Sequence, residues 1–336
     1  MIYVYSYAVV FILFLIAKNI VKEKALYYIV SFIPLLLVLF RGLNGTDTQS
    51  YIDIIGLIDN DINESVEAGF FWATKFFLLF TDDGLLITKL FALIMFYNFA
   101  LFFGKTKERI YIYTLLVLPV FFYDMYMNGI RYGVAYSFAL IAYDQKRLNH
   151  NISFLMLTAL AVSFHVSSII LLALMFVSFL KYINLKAIVI VSAIISIFVV
   201  LFRDRILLKL MQYSTIESPG ALSGLMPLII FILTAGLIII SAKKQSVMFL
   251  LVALFVAELL SFMLSRFTYM GMRLQFVVLL VMFCKMPEYI ILKIQSMWVL
   301  LFISVLCFAG RYRNMTDEAG NGPSPFLPYQ YYWQVK

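Results

Sequence analysis

The chain alternates long apolar runs with short polar connections, and this pattern predicts helices rather than strands. The runs are much longer than a typical strand and show no strict alternation of apolar and polar residues. We predict helices over about 3–17, 26–40, 85–103, 110–123, 129–143, 152–163, 166–180, 185–202, 226–241, 246–264, 271–284 and 296–310. The expected fold is therefore an all-α polytopic membrane protein with about twelve transmembrane helices.

Two segments do not fit a simple series of membrane crossings. The stretch 69–80 is too short to span a bilayer and contains Lys75, so we expect an amphipathic helix at the outer interface. Segment 152–180 is expected to form a hairpin with His165 at its tip. At about 1.5 Å per residue, each arm falls short of the roughly 30 Å hydrocarbon core. One long tilted helix is the alternative for this segment.

The apolar runs organise the chain into one membrane domain and a tail. The transmembrane domain is expected over 1–310, including the interfacial helix and an outer loop at about 203–225, and 311–336 is expected to be an outer-face tail. The loop is long enough to act as a lid, although a plain solvated loop is the alternative. No internal repeat is evident, and no basic segment precedes the first apolar run as in a cleavable signal peptide.

The composition also favours lipid as the main solvent. Of the 336 residues, 64% are hydrophobic and only 13% are charged, whereas soluble domains carry about 25% charged residues. The net charge of +8 does not indicate a nucleic-acid binder, because the basic residues are scattered between apolar runs. Cys284 and Cys307 each lie inside an apolar run, which predicts buried thiols rather than a disulfide or a metal site.

The distribution of Lys and Arg predicts the orientation of the helices. With the N-terminus outside, the inner loops hold 14 of the 26 Lys and Arg residues and only four acidic residues. Short cytoplasmic loops carry such an excess of positive charge in membrane proteins. This orientation requires that segment 69–80 does not cross the bilayer and that segment 152–180 enters the bilayer and returns to the same side.

Polar side chains that a bilayer does not readily accept gather at the predicted outer side. An ionisable residue at membrane depth costs about 2.5–3.5 kcal/mol on insertion scales and is a functional candidate. The candidates are Arg41, Asp47, Tyr51, Glu67, Asn128, Arg131, His165, Arg266 and Arg273. Arg131 is the hardest to explain otherwise, because it lies about one turn into an apolar helix that opens at Asn128. Taken singly, Arg41 could snorkel to the headgroups, Asp47 could be a turn residue, and His165 could be a packing residue.

The chemistry of these candidates suits an anionic lipid headgroup such as a pyrophosphate. Arginine pairs with phosphate oxygens through its planar fork. A nearby carboxylate or histidine can accept the proton of an attacking hydroxyl group. The chain contains no HExxH, GxSxG, P-loop or dinucleotide-binding motif, which argues against soluble nucleotide chemistry.

Six short motifs follow one another along the chain. They are RGLNGTDTQSY at 41–51, EAGF at 67–70, NGIRYGVA at 128–135, FHVSS at 164–168, RLQF at 273–276 with the later Pro287, and PY at 328–329. The ordered set resembles the motifs of the EpsG family of Wzy-type polysaccharide polymerases. Two positions depart from the family pattern, since Tyr132 replaces a usual Gln and the Arg273 segment lacks a Tyr-Phe pair.

The resemblance implies a membrane glycosyltransferase of GT-C-like architecture with a cavity at its outer face. Such an enzyme transfers a growing glycan from an undecaprenyl-pyrophosphate carrier to a new lipid-linked repeat unit. The expected location is the bacterial inner (cytoplasmic) membrane, with the active site facing the periplasm or exterior. The expected partners are the lipid-linked donor and acceptor, membrane lipid and a chain-length-regulator protein. No metal, no other cofactor and no nucleic acid is implied.

Each candidate residue receives an expected role from this resemblance. The residues expected to bind substrate are Arg41, Tyr51, Asn128, Arg131, Arg266 and Arg273. His165 or Asp47 is expected to accept the proton of the acceptor hydroxyl, and Glu67 is expected to position a sugar or orient an arginine. The alternatives are a ligase that moves a finished glycan, a flippase or transporter for lipid-linked oligosaccharides, and a membrane acyltransferase.

Overall fold

The computed structural model describes residues 1–62, 66–177, 223–241, 247–290, 294–316 and 324–335. Its helices are α1 (Ile2–Ala17), α2 (Glu23–Leu39), α3 (Thr48–Asp59), α4 (Ala68–Leu78), α5 (Gly84–Phe103), α6 (Lys107–Ile112), α7 (Leu118–Tyr123), α8 (Ile130–Arg147), α9 (Asn151–Phe164), α10 (Ser168–Met175), α11 (Leu225–Ser241), α12 (Val247–Ser265), α13 (Tyr269–Lys285) and α14 (Ile294–Thr316). These residues form no β-strand, and an isolated antiparallel bridge joins Arg41 to Tyr331. The predicted all-helical class is therefore confirmed for the described part of the chain.

Most helices agree with the apolar runs, and the differences lie in polar segments. Helix α3 was not predicted, because its sequence is not a continuous apolar run. The run predicted at 110–123 is the middle of a longer helical path that includes two π-helical stretches, Tyr113–Val117 and Asp124–Asn128. Helix α14 continues to Thr316, so Arg311 belongs to the helix and not to the tail. The predicted helix 185–202 and nearly all of the predicted loop 203–225 lie outside the described residues.

Five segments in the described ranges are long and apolar enough to cross a membrane. They are Gly84–Phe103, Lys107–Asn128, Val247–Ser265, Tyr269–Glu288 and Ser296–Thr316. Other apolar helices, such as α1, α9 and α11, have fewer than 18 residues. The chain is thus a helical membrane protein, while the number of twelve crossings and the GT-C-like architecture stay predictions.

The predicted interfacial helix and the predicted hairpin tip both have a counterpart. Helix α4 has 11 residues, a length of about 16 Å that cannot span the bilayer core. The backbone at His165 is extended, which ends α9 before α10 begins. The segment is therefore not one continuous helix, and the predicted second arm beyond 177 lies outside the described residues.

The chain divides into two compact units. Unit 1 comprises Met1–Leu172 and Leu292–Lys336, and unit 2 comprises Ala173–Ile291. In unit 1, α8 packs against α5 and α9, α2 packs against α1 and α5, and α14 packs against α7. In unit 2, α12 packs against α11 and α13. A Cβ atom at Gly271 would lie 2.1 Å from the backbone nitrogen of Ser265, so this glycine permits the tight connection between α12 and α13.

Unit 1 separates a basic end from the end that holds the predicted site. At the basic end, Lys105 and Arg109 each donate to Asp144 over 2.7 Å, and the Tyr111 hydroxyl donates to the Lys18 carbonyl. An open pocket at this end is lined in part by Lys18, Glu23 and Lys107. Helix α1 ends just before Lys18 and begins at the other end of the unit, where the Tyr3 hydroxyl donates to the carbonyl of Phe326. The predicted cavity at the outer face stays a prediction.

The end of the chain closes over the loop that follows α2. The amide of Asn44 donates to the carbonyls of Phe326 and Pro328, both over 3.1 Å, and its oxygen accepts from the Gln330 N–H over 2.7 Å. The Gly42 N–H donates to the Gln330 carbonyl. A Cβ atom at Gly42 would lie 2.6 Å from Val335 Cγ2, so the small residue permits this close approach.

Candidate functional site

The loop that carries the first motif is fixed by a buried arginine. Arg41 is fully buried, and its Nη1 donates to the carbonyls of Asn44 and Met127, both over 2.9 Å. Gly45 adopts a φ of +115°, and a Cβ atom there would lie 3.0 Å from the Met127 carbonyl. The loop therefore needs glycine at this position. These contacts fasten the loop to the turn that precedes α8.

In the described ranges, no carboxylate offsets the charge of Arg41. Among the described residues it forms no ion pair, and its Nε and Nη2 atoms are buried without a hydrogen-bond partner. Burial lowers the pKa of Arg41 to about 10, which still leaves the guanidinium charged at neutral pH. A buried positive charge of this kind attracts anions to its surroundings.

Asn128, one of the predicted site residues, holds the turn before α8 in place. Asn128 Oδ1 accepts from the Thr46 N–H over 2.8 Å, and its Nδ2 donates to Asp124 Oδ1 over 3.3 Å. Asp124 also accepts from Arg311 Nη2 over 2.5 Å and from the hydroxyl of Tyr132. The turn thus joins the first motif, the π-helical stretch and α14.

Glu67 enters the site from the start of α4. It precedes Ala68 as the N-terminal flanking residue of this helix, and α4 packs against α9. A Cβ atom at Gly69 would lie 2.3 Å from the hydroxyl oxygen and 2.8 Å from the carbonyl carbon of Ser163. Because Gly69 has no side chain, the start of α4 reaches the end of α9, where His165 follows.

The carboxylate of Glu67 lies between an arginine and a histidine. Arg131 Nη1 is 2.6 Å from Glu67 Oε2, and His165 Nε2 is 4.0 Å from Glu67 Oε1. The Arg131 guanidinium is 5.9 Å from the centre of the Tyr51 ring, and the Arg131 N–H donates to the Tyr51 hydroxyl over 3.5 Å. The side chains of Arg131, Glu67 and His165 keep 28%, 20% and 22% of their surface exposed. A ligand can therefore reach all three.

The surroundings of His165 define where its ring carries a proton. The Ser167 N–H donates to Nδ1 over 3.2 Å, and the Ser167 hydroxyl oxygen lies 2.6 Å from the same nitrogen. The Tyr136 hydroxyl lies 2.9 Å from the Ser167 hydroxyl. A ring nitrogen that accepts a hydrogen bond from an N–H carries no proton itself, so the neutral ring has its proton on Nε2. Nε2 is the nitrogen that faces Glu67.

The structure brings seven of the nine predicted site residues together at one end of unit 1. These are Arg41, Asp47, Tyr51, Glu67, Asn128, Arg131 and His165. Asp47 is half-buried and immediately precedes α3. Arg266 and Arg273 are exposed residues of unit 2, and Arg266 lies over the ring of Phe262 at 4.8 Å. The functional roles of all nine stay predictions.

Two further residues at this end of unit 1, Asp124 and Arg311, were not among the predicted functional candidates. Asp124 is an acidic residue at the end of a strongly apolar stretch, a signal that could have identified it. Arg311 lies at the start of the segment 311–336, which was expected to be a tail. Their pairing joins positions 187 residues apart in the sequence, which no local pattern can predict.

Comparisons with known proteins identify the family. The model of the EpsG family matches residues 24–331, which is most of the chain. No curated protein and no solved structure matches the chain. The chain therefore belongs to the EpsG family, the family of Wzy-type polysaccharide polymerases, as its ordered motifs predicted.

Proposed function

Starting from membership of the EpsG family, we propose that the protein transfers a growing glycan from an undecaprenyl-pyrophosphate carrier to a lipid-linked repeat unit. The observation that carries this proposal is the Glu67 carboxylate between Arg131 and His165, at the end of unit 1 where the motifs at 41–51, 67–70, 128–135 and 164–168 meet. We place this end at the outer leaflet of the bacterial cytoplasmic membrane. The basic residues at the opposite end support that orientation.

The reaction forms one bond and breaks one bond at the donor sugar. The acceptor hydroxyl oxygen attacks the anomeric carbon, and the bond from that carbon to the pyrophosphate oxygen breaks. The lipid pyrophosphate leaves with the bonding electron pair, and the hydroxyl proton passes to a base of the protein. The chemistry therefore needs cations at the leaving group and a carboxylate or imidazole at the hydroxyl.

Arg131 is the cation that we assign to the leaving pyrophosphate. Its guanidinium is partly exposed and is held by Glu67, so it is oriented before substrate binds. Arg273 is the second arginine of the proposal, and its assignment comes from its motif alone. Arg41 is fully buried, so we assign it a positioning role through the loop and the turn that it joins.

Asp47 is the proton acceptor that we favour over His165. The neutral His165 ring presents Nε2–H, because Ser167 occupies the lone pair of Nδ1. Such a ring is a hydrogen-bond donor suited to a phosphate or sugar oxygen. Glu67 is already bound to Arg131, which favours an orienting role. Asp47 is half-buried at the start of α3, close to Tyr51.

Polysaccharide length in cells tests the proposal. Arg131→Ala and Arg273→Ala are each expected to abolish the ladder of repeat lengths on a gel. The loss of one stabilising donor at a developing charge costs about 100-fold or more in rate. Arg147→Ala is the matched control, because Arg147 is exposed at the far end of the same helix as Arg131. A full ladder from both site variants, at normal protein levels, would remove these arginines from the site.

A further inference from the structure

A second arginine–carboxylate pair lies at the same end of unit 1 as the first. Arg311 of α14 donates from Nη2 to Asp124 Oδ1 over 2.5 Å, much as Arg131 donates to Glu67 over 2.6 Å. The side chains of Arg311 and Asp124 keep 13% and 19% of their surface exposed. The Nε atoms of Arg131 and Arg311 are both buried and have no hydrogen-bond partner within the part of the chain that the structure describes. The side chains of Arg131 and Arg311 remain 28% and 13% exposed, so an anionic ligand can reach each guanidinium.

Tyr132 connects the two pairs. Its hydroxyl donates to Asp124 Oδ2, and the centre of its ring lies 6.3 Å from that of His165. A Cβ atom at Gly129 would lie 1.7 Å from the Tyr132 ring, so the glycine lets this ring fold back over the turn. A continuous series of contacts thus runs from Arg131 to Arg311 through Glu67, His165, Tyr132 and Asp124.

The backbone at Asp124 has an unusual geometry. Asp124–Asn128 forms a π-helical stretch, and such stretches occur frequently at functional sites. This stretch directs Asp124 toward both Tyr132 and Arg311 while Asn128 holds the loop of the first motif. A purely structural ion pair would account for the contact between α14 and the turn. It would not account for the series of contacts that connects Asp124 to His165 through Tyr132.

We propose that Arg311, held in place by Asp124, is a second binding site for the pyrophosphate of a lipid-linked substrate. This inference rests on the proposed function, which requires two lipid pyrophosphates at once, one on the donor and one on the acceptor. Arginine is suited to the ligand because its planar fork matches phosphate oxygens. On binding, the pyrophosphate competes with Asp124 for the guanidinium of Arg311.

Binding of undecaprenyl pyrophosphate to the purified full-length protein in lipid nanodiscs tests the inference without polymerisation. Undecaprenol, which lacks the pyrophosphate, is the ligand control. Because Arg131 still binds one pyrophosphate, Arg311→Gln is expected to raise only the Kd of the second binding event, by about tenfold or more. Arg313→Gln removes the same charge from an exposed position of the same helix and is expected to leave the Kd unchanged.

Asp124→Asn separates ligand binding from structural support. The variant keeps a hydrogen-bond acceptor but removes the competing charge, so we expect the Kd for undecaprenyl pyrophosphate to fall several-fold. A structural ion pair predicts that Asp124→Asn and Arg311→Gln both lower the melting temperature and that neither tightens binding. Arg311→Lys, which keeps the charge without the fork, replaces Arg311→Gln in the comparison if the latter does not fold. An unchanged Kd in Arg311→Gln, or a higher Kd in Asp124→Asn, would overturn the inference.

Polymerisation then identifies the substrate that Arg311 holds. The natural acceptor is compared with an acceptor glycan on a neutral benzyl aglycone, which has no pyrophosphate. If Arg311→Gln slows transfer to the neutral acceptor as well, Arg311 holds the donor pyrophosphate. If the wild type itself loses efficiency with this acceptor and Arg311→Gln causes no further loss, Arg311 holds the acceptor pyrophosphate. An active wild type whose rate is insensitive to Arg311→Gln with every acceptor contradicts the inference while the proposed function stands. Arg311-dependent binding without polymerisation contradicts the proposed function alone.

Discussion

At the residue scale, single polar side chains join segments that lie far apart in the sequence. Glu67 contacts Arg131, 64 positions away, and Asn44 contacts the end of the chain, 282 positions away. The sequence identifies such residues as unusual because ionisable groups are costly at membrane depth. It cannot show which of them meet, because the pairing depends on the packing of whole helices. Glu67 and Arg131 were therefore both predicted as site residues, and the sequence left open which arginine Glu67 orients.

His165 gives the first prediction at this scale. His165→Gln keeps an N–H donor near the position of Nε2, so activity is expected to stay within about tenfold of the wild type. His165→Ala removes the donor and is expected to cost about 100-fold. Asp47→Asn, which removes the proposed base, is expected to cost about 100-fold or more. Initial rates of glycan transfer provide the measurement. A His165→Gln variant as inactive as Asp47→Asn would instead indicate that His165 is the base.

Asn44 gives a second prediction, which concerns stability. Its side chain makes three hydrogen bonds to the end of the chain, at 3.1, 3.1 and 2.7 Å. Each such bond contributes about 0.5–1.5 kcal/mol, so Asn44→Ala is expected to lower the melting temperature of the detergent-solubilised protein clearly. Asn60→Ala is the control, because Asn60 is exposed and its side chain donates to Gly56 of α3, the helix that it directly follows. An equal melting temperature for the two variants would argue against a bound C-terminal segment.

At the element scale, apolar periodicity predicts helices that lie in lipid or protein but not those beside the site. Helices α1, α2 and α5 follow apolar runs and were predicted within a few residues. Helix α3 mixes polar and apolar residues, and its stability comes from packing against α4 and α5. The π-helical stretch at Asp124 also escapes prediction, because the pattern of apolar residues does not encode a local change from α-helical to π-helical hydrogen bonding. The elements that depart from simple periodicity are those that form the site.

The contact between α4 and α9 leads to a prediction about a glycine. Gly69→Ala would place a methyl group within 2.3 Å of Ser163, so α4 must shift and carry Glu67 away from His165. Activity is expected to fall about tenfold or more, because small displacements of positioning groups are costly. Gly56→Ala is the control, since nothing lies within 4 Å of its Cβ position. The measurement is the transfer rate at matched amounts of folded protein, and equal rates would contradict this role of the close contact.

At the scale of the whole molecule, the two ends of unit 1 differ in charge and in chemistry. Lys18, Lys105 and Arg109 lie at one end, and Glu67, Arg131 and His165 lie at the other. This separation was predictable from the loops, because the charge rule needs only sequence order. The two-unit organisation was not, since it depends on contacts between helices distant in the sequence.

The orientation of unit 1 can be measured by labelling intact cells with a membrane-impermeant thiol reagent. Ser50→Cys, exposed near the site, is expected to react, whereas Leu148→Cys, 57% exposed at the other end, is expected to react only after lysis. The native Cys284 and Cys307 are 1% and 2% exposed, so their background is expected to be low. The reverse labelling pattern would place the site on the cytoplasmic side and contradict the outer-leaflet proposal.

The most direct test of the central claim uses the purified protein in lipid with a synthetic undecaprenyl-pyrophosphate oligosaccharide of the native repeat unit. Products are sized on a gel, with Arg131→Ala and Arg147→Ala in parallel. We expect a ladder of added repeats from the wild type and from Arg147→Ala, and none from Arg131→Ala. A folded wild type that binds this substrate but adds no repeat would contradict a polymerase, and transfer of a single finished glycan would indicate a ligase.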